Sequence, residues 1–420
     1  MKTFNALRNK LVVFLSIMGP GIVTAFADND AGGIATYAAA GAKYGLALLF
    51  TMLLSTVCLA IAQEMSARTG AVTGKGLSDL IRERYGVKWT LFAMSILVIA
   101  NVGTTASEFS GIATSFEIFG VSRYISVPLV AFAVWRLVIK GSYGKIEKIF
   151  FVLCLTFMSY IISGFLVAPS WHDVLLASVT PTFIWNADFL LMAIGVIGTT
   201  VTPWGQFYVQ AAVVDKGINA SAYNYTRWDV LIGAFLTWVV AFFIIVATAA
   251  TLYAHGISIE TAGDAAIALE PVAGKYASSL FAFGLLGASM LAAFILPLST
   301  AYAVCEALGF EHAVSDSYKE APVFFGLYTS LLVVGAGIVL LPGLSLYSIM
   351  LTSQVINGVL LPPILIFMML IANDRNLMGK YANSGLYNII AWIFTVILIL
   401  LTVLLVISFI MPDLFNKLLG

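Results

Sequence analysis

From Ala321 to Asn373 the chain carries no Asp, Glu, Lys, Arg or His. No soluble domain hides a run of that length, whereas hydrocarbon takes it as two helices at about 20 residues per crossing. Leu341-Pro342-Gly343 supplies the turn between them. Similar runs recur throughout: of 420 residues, 61% are hydrophobic and 10% charged, and the mean hydropathy is +1.00. The lipid bilayer is therefore the solvent, with room for roughly ten to twelve helices and short connections. A formal net charge of +0 offers nothing to nucleic acid, and no such partner is expected. Cys58, Cys154 and Cys305 each sit inside an apolar run, which argues against a disulfide framework or a thiolate metal site.

Turn residues and charges bound eleven helices, at about 11–44, 46–65, 88–118, 124–141, 147–168, 187–214, 228–253, 276–307, 322–341, 345–371 and 386–411. Their lengths suit tilted spans. With no interdomain linker or low-complexity tract, 1–420 reads as one transmembrane domain, all-α and polytopic. Basic residues orient it. With a cytoplasmic N-terminus, 17 of the 21 Lys and Arg fall inside, leaving Lys43, Arg123, Lys275 and Lys417 outside. The odd helix count then puts the C-terminus outside. The glycosylation-like triplets at Asn219 and Asn224 fall inside and are expected to be unused. Lys2, Arg8 and Lys10, with Ala25-Phe26-Ala27 after the apolar run, imitate a cleaved signal peptide. Cleavage would discard the segment beside an acidic cluster, so an uncleaved first helix is the reading taken. Short loops and no targeting extension point to a prokaryotic plasma (inner) membrane.

Two spans are interrupted. The first carries Asp28-Asn29-Asp30-Ala31-Gly32-Gly33, and the sixth, "GVIGTTVTPWGQFYVQ", has Thr199, Thr200, Thr202, Pro203, Gly205 and Gln206 in mid-span. These positions correspond if helices 1–5 (about 11–168) and 6–10 (about 187–371) are inverted repeats, with 386–411 as an extra helix. Broken spans at matching places in two halves point to a transporter's midplane site. Unwound backbone at that depth is tolerated only where it lines a cavity or binds something.

Asp28 and Asp30 read either as solvated residues at a helix end or as intramembrane acids. The mostly apolar stretch from Ala31 to Tyr44 favours the second, and buried acids in membranes are expensive and functional. Glu108 lies deep in the third span among Thr104, Thr105, Ser107 and Ser110, a polar face suited to an aqueous path or to a bond with a neighbouring helix. Glu117 is nearer the outer end. On the tenth span Gln354 and Asn357 share a face; they offer carbonyl oxygens to an ion or bond between helices. The midplane candidates are thus oxygen donors: Asp28, Asn29, Asp30, Glu108, Thr202, Gln206, Gln354 and freed backbone carbonyls. His172, His255 and His312 fall in loops, and no Met lies within either break. Hard oxygen ligands suit Mg²⁺, Ca²⁺ or Mn²⁺.

"GPGIVTAFADNDAGG" resembles the first helix of the Nramp family of divalent-metal transporters, which has Gly-Pro-Gly, eight residues, then Asp-Pro-Gly-Asn. "QEMSARTGAVTGKGLSDLIRERYG" (63–86) is closely similar to that family's loop between helices two and three. "GVIGTTVTPWGQ" falls on its sixth-helix segment, which normally carries Met-Pro-His. The resemblance runs from about 15 to 370. It implies a LeuT-like fold of two inverted five-helix repeats plus an eleventh helix, with helices 1 and 6 broken around a midplane metal site. The motif aspartate is kept as Asp30, but the family's proline is Ala31, its asparagine ligand is Gly33, its methionine is Thr202 and its histidine is Trp204. The third helix has Thr105 and Glu108 in place of an Asp/Glu pair, and the basic residues of the ninth are absent.

That pattern resembles the divergent Nramp-related magnesium transporters. Mg²⁺ keeps its water, and loss of Asn and Met leaves room for a partly hydrated ion. The resemblance implies a secondary transporter for Mg²⁺, also Mn²⁺, uncoupled from protons. The membrane potential gives about 4.6 kcal/mol per divalent ion at 100 mV. No cofactor is expected, the metal being cargo, and the chain is expected to work as a monomer in the bilayer. The rivals are a proton-coupled Mn²⁺/Fe²⁺ symporter and a Na⁺-coupled organic-solute symporter. A hydrolase is disfavoured, since no Ser/His/Asp arrangement, His-Glu-x-x-His or intramembrane histidine is present.

Overall fold

The computed structural model describes residues 19–139, 156, 158–310 and 319–411. The start of the first span (11–18), most of the fifth (147–155 and 157), Cys154, His312, Lys2, Arg8, Lys10, Lys140, Lys145, Lys148 and Lys417 lie outside the described residues.

The first span is two helices, α1 (Pro20–Asp28) and α2 (Ala31–Tyr44). Then follow α3 (Leu49–Thr73), α4 (Leu77–Ile118), α5 (Arg123–Ile139), α6 (Met158–Leu166) and the short α7 (Trp171–Val179). The sixth span is again two pieces, α8 (Ala187–Thr200) and α9 (Pro203–Asp215). α10 (Tyr223–Thr251), α11 (Ala277–Leu308), α12 (Pro322–Val339), α13 (Leu346–Asn373) and α14 (Gly385–Ile410) complete the spans. Among the described residues, eight helical stretches are long and apolar enough to cross a membrane. The first span misses that length because it is split, and α5 because it has 17 residues.

The helices sort into two groups. α4 packs against α11, α12 and α5, and their facing side chains, including Phe109, Val127, Phe294, Phe324 and Tyr328, form one core. α10 packs against α1, α2 and α3, while α9 lies on α3. α13 bridges the groups through α4 and α8, and α14 runs outside it. Polar caps start several helices: Asn186 Oδ1 takes the amide of Phe189 at 2.7 Å, and Ser384 that of Tyr387 at 3.4 Å.

Two sequence expectations change. The 63–86 stretch is not a loop: α3 continues to Thr73 and α4 begins at Leu77. Only Gly86, at φ 78°, breaks the helical path, so the apolar part of α4 begins just after it. The reason is side-chain satisfaction. Glu64 and Arg68 pair at 3.0 Å on successive turns of α3, and Tyr387 donates to Glu64 at 2.5 Å. Arg68 also donates to Asn383 at 2.6 Å. Glu64 and Arg68 are thus buried and paired, while Lys75, Arg82, Glu83 and Arg84 of the same stretch stay exposed. His172, likewise, sits in α7 and His255 in a single 3₁₀ turn, both exposed.

Candidate functional site

Both breaks are built from residues that stop a helix without leaving its carbonyls stranded in lipid. Asn29 closes α1 at φ −87°, ψ 51°, and Asp30 turns extended at ψ −176°. Asp30 then caps α2, its Oδ1 accepting the amide of Gly33 at 2.6 Å. In the sixth span Val201 and Thr202 are non-helical, and Pro203 opens α9, where its missing N–H costs nothing.

Gly33 lets the two breaks approach closely, and any side chain there would push its neighbours apart. A Cβ there would sit 3.0 Å from the Asp28 carbonyl oxygen, 3.0 Å from Thr199 Oγ1 and 3.3 Å from Asp30 Oδ1. Asp28, Asp30 and Glu108 are at most 1% exposed. Glu108 comes from α4: its Oε2 accepts the amide of Ala31 at 3.3 Å, and its carboxyl lies within hydrogen-bonding reach of Asp30. Among the described residues none of the three acids pairs with a Lys, Arg or His. A buried carboxylate without a cation is costly, so the charge of these acids must be met from elsewhere, by protons or by a cation.

The other candidates surround these acids. Thr202 Oγ1 donates to Asp28 Oδ1 at 3.3 Å. Asn29 donates to the Ala25 carbonyl at 3.0 Å, and Gln206 Nε2 to the Thr202 carbonyl at 3.5 Å. Oxygens left without a donor are Asn29 Oδ1, Asp30 Oδ2, Glu108 Oε1 and Gln206 Oε1. Gln354 behaves differently. Its carbonyl oxygen takes Asn357 Nδ2 at 3.0 Å, Asn357 bonds to Thr104 of α4, and the buried Nε2 of Gln354 has no acceptor. The bond between α13 and α4 is therefore what this pair makes here. Trp204 is buried in the core beside Tyr208. Glu117 lies at the Ile118 end of α4 and pairs with Arg123 at 2.9 Å.

Gln63 escaped the sequence reading because it stood at the end of the helix expected at 46–65, where the loop-like 63–86 stretch begins; in the fold its Nε2 meets Asp28 Oδ2 at 3.4 Å. Asp229 of α10 was also passed over, and its carboxylate receives the amides of Gly19 and Gly21. A cavity of about 290 Å³ at the Ile118 end of α4 is lined by Glu117, Arg123, Glu260 and Tyr347.

An all-helical membrane protein with two spans broken around buried, uncompensated acids is a transporter of LeuT-like fold. This chain belongs to the Nramp family: the model described as "Natural resistance-associated macrophage protein-like" matches residues 21–408. The divalent metal cation transporter MntH of Ralstonia nicotianae is 31% identical over 401 residues, covering 90% of this chain and 87% of the relative. MntH 1 of Pseudomonas aeruginosa, also named a divalent metal cation transporter, is 30% identical over 403 residues, covering 91% and 88%. The Eremococcus coleocola manganese transporter superposes with a TM-score of 0.74 at 22% identity, over 94% of this chain and 86% of that one. MhsT, solved in complex with L-phenylalanine, gives 0.61 at 18% identity, over 92% and 98%. These last two likenesses concern the fold alone.

Proposed function

We propose that this chain carries divalent metal ions across the membrane by alternating access, with Mg²⁺ as principal cargo and Mn²⁺ also accepted, and without proton coupling. The carrying observation is the set of three buried acids, Asp28, Asp30 and Glu108, that no basic side chain among the described residues neutralises. Asp30 and Glu108 bear the ion's charge. Asn29 supplies a further oxygen, Gly33 lets the two breaks approach closely, and Gln354 lines the α13 side, while Asp28, Thr202 and Gln206 continue the polar path on the side of α3.

Two features support a partly hydrated ion. Among the described residues no three His, Cys, Asp or Glu side chains converge tightly enough to cage a bare metal. Among the described residues no thioether is bonded to Asp28, Asp30, Glu108 or Thr202; Met52 reaches the end of α8, where it accepts a bond from Thr200 at 3.6 Å. Mg²⁺ prefers one or two carboxylates plus retained water, whereas softer ligands select transition metals.

Uncoupling from protons rests on what lines the helices. α12 carries no Asp, Glu, Lys, Arg or His, and Thr105 of α4 spends its hydroxyl on the Asn101 carbonyl at 2.7 Å. The proton-coupled Mn²⁺ reading stays as second choice because the relatives above are named for divalent metals and manganese. The proposed topology is a monomer in a prokaryotic inner membrane, N-terminus inside and C-terminus outside.

Competition in proteoliposomes tests the ion choice. Mg²⁺ uptake that Mn²⁺ inhibits is expected; uptake of Mn²⁺ or Fe²⁺ with none of Mg²⁺ overturns it.

A further inference from the structure

The two acids at the break of the first span face different neighbours. Asp30 turns to Gly33 and to Glu108 of α4. Asp28 turns to α3 and the sixth span, where Gln63 Nε2 donates to Oδ2 at 3.4 Å and Thr202 Oγ1 to Oδ1 at 3.3 Å. The chain passes between the two sets at Asn29.

Three glutamines on the Asp28 side share one pattern. Gln63 spends its amide nitrogen on Asp28, Gln206 on the Thr202 carbonyl at 3.5 Å, and Gln210 on the Lys75 carbonyl at 2.9 Å. The oxygen of each has no donor, and each residue is at most 1% exposed. Buried oxygens without a donor are uncommon and costly. Gln63 touches the uncompensated Asp28, Gln206 touches Thr202, which itself donates to Asp28, and Gln210 follows one turn further along α9; each is held by its own nitrogen, so the three oxygens form a row that accepts positive charge.

This array lies at a different depth from the Asp30–Glu108 pair. Gln63 is nearer the Thr73 end of α3 than the Leu49 end. Glu108 is nearer the Ile118 end of α4, and Ile118 lies on the opposite side of the fold from Thr73. Gln206 and Gln210, one turn apart on α9, continue toward Lys75 in the connection after α3.

We propose that Asp28, Gln63, Thr202 and Gln206 form a second cation station, inward of the Asp30–Glu108 pair, which the ion leaves past Gln210. This rests on the divalent-cation reading above. A single carboxylate with amide and hydroxyl oxygens is a hard ligand set for a partly hydrated ion. It holds less negative charge than the outer pair, so the ion is passed on rather than trapped.

The test uses the full-length protein, with Mg²⁺ and Mn²⁺ each as probe. Binding is measured by calorimetry in detergent and initial uptake in proteoliposomes. For Gln63→Leu/Gln206→Leu, which keeps bulk but removes both oxygens, uptake should fall about tenfold while equilibrium affinity moves less than about twofold. Gln63→Asn/Gln206→Asn, which keeps both amide oxygens and adds no charge, should retain most of the rate. Unchanged uptake in the double variant overturns the station, and so does affinity that falls in step with uptake, since the oxygens then belong to one shared site. If the double variant does not fold, Gln63→Leu and Gln206→Leu singly are judged by the same two readings. A wild type that carries Mn²⁺ but not Mg²⁺ sinks the magnesium assignment alone and leaves the station tested with Mn²⁺. A wild type carrying neither overturns both.

Discussion

Asp229 Oδ2 accepts the backbone amide of Gly21 at 2.7 Å, and its Oδ1 accepts that of Gly19 at 3.1 Å. These N–H groups belong to the first turn of α1, which has no partner of its own within the helix. An acid from α10 thus pins the start of the broken span and complements the positive end of its dipole. Asp229→Ala strands both donors and should cost about 1–3 kcal/mol. A lowered unfolding midpoint in detergent is the expected reading; an unchanged midpoint removes the pin.

Two ion pairs should respond very differently to truncation. Arg68 and Glu64 are 8% and 6% exposed, so Arg68→Ala leaves a buried acid with tyrosine hydroxyls but no cation. That loss should cost about 3–5 kcal/mol. Lys43 and Asp188 also pair at 3.1 Å, but their side chains are 53% and 68% exposed. Lys43→Ala should cost no more than about 1 kcal/mol, because water and salt screen the pair. Thermal unfolding of the two variants side by side checks the contrast, and equal losses would contradict it.

Adding side chains between the breaks should change ion preference. Gly33→Asn places a side chain against the Asp28 carbonyl and Thr199 Oγ1, and Thr202→Met brings in a thioether. Together they remove room for bound water and add a soft ligand, so the ratio of Mn²⁺ to Mg²⁺ uptake should rise about tenfold. Dual-isotope uptake reads that ratio directly. An unchanged ratio would mean that neither position governs selectivity.

The broken spans were legible because polar residues stand beside Gly or Pro in mid-membrane; proline alone is no such sign, since Pro128, Pro297, Pro362 and Pro363 lie inside unbroken helices. Asp28-Asn29-Asp30 and Thr202-Pro203 mark the observed breaks to the residue. Partners across helices were not legible. Gln63 looks like the start of a polar connection until α3 is seen to run on to Thr73. Glu64 and Arg68 look solvated until Tyr223, Tyr387 and Asn383 are seen to close around them. Such residues are recognised by what faces them, and linear sequence does not carry that. Gln354 teaches the same lesson, since Asn357 takes the oxygen that a ligand reading needs.

The central claim is met most directly by proteoliposomes loaded with a Mg²⁺-sensitive dye or, in parallel, a pH dye, with wild type compared to Asp30→Ala. The account predicts Mg²⁺ entry without acidification, lost in Asp30→Ala. Mn²⁺ uptake accompanied by protons, with no Mg²⁺ entry, would contradict it.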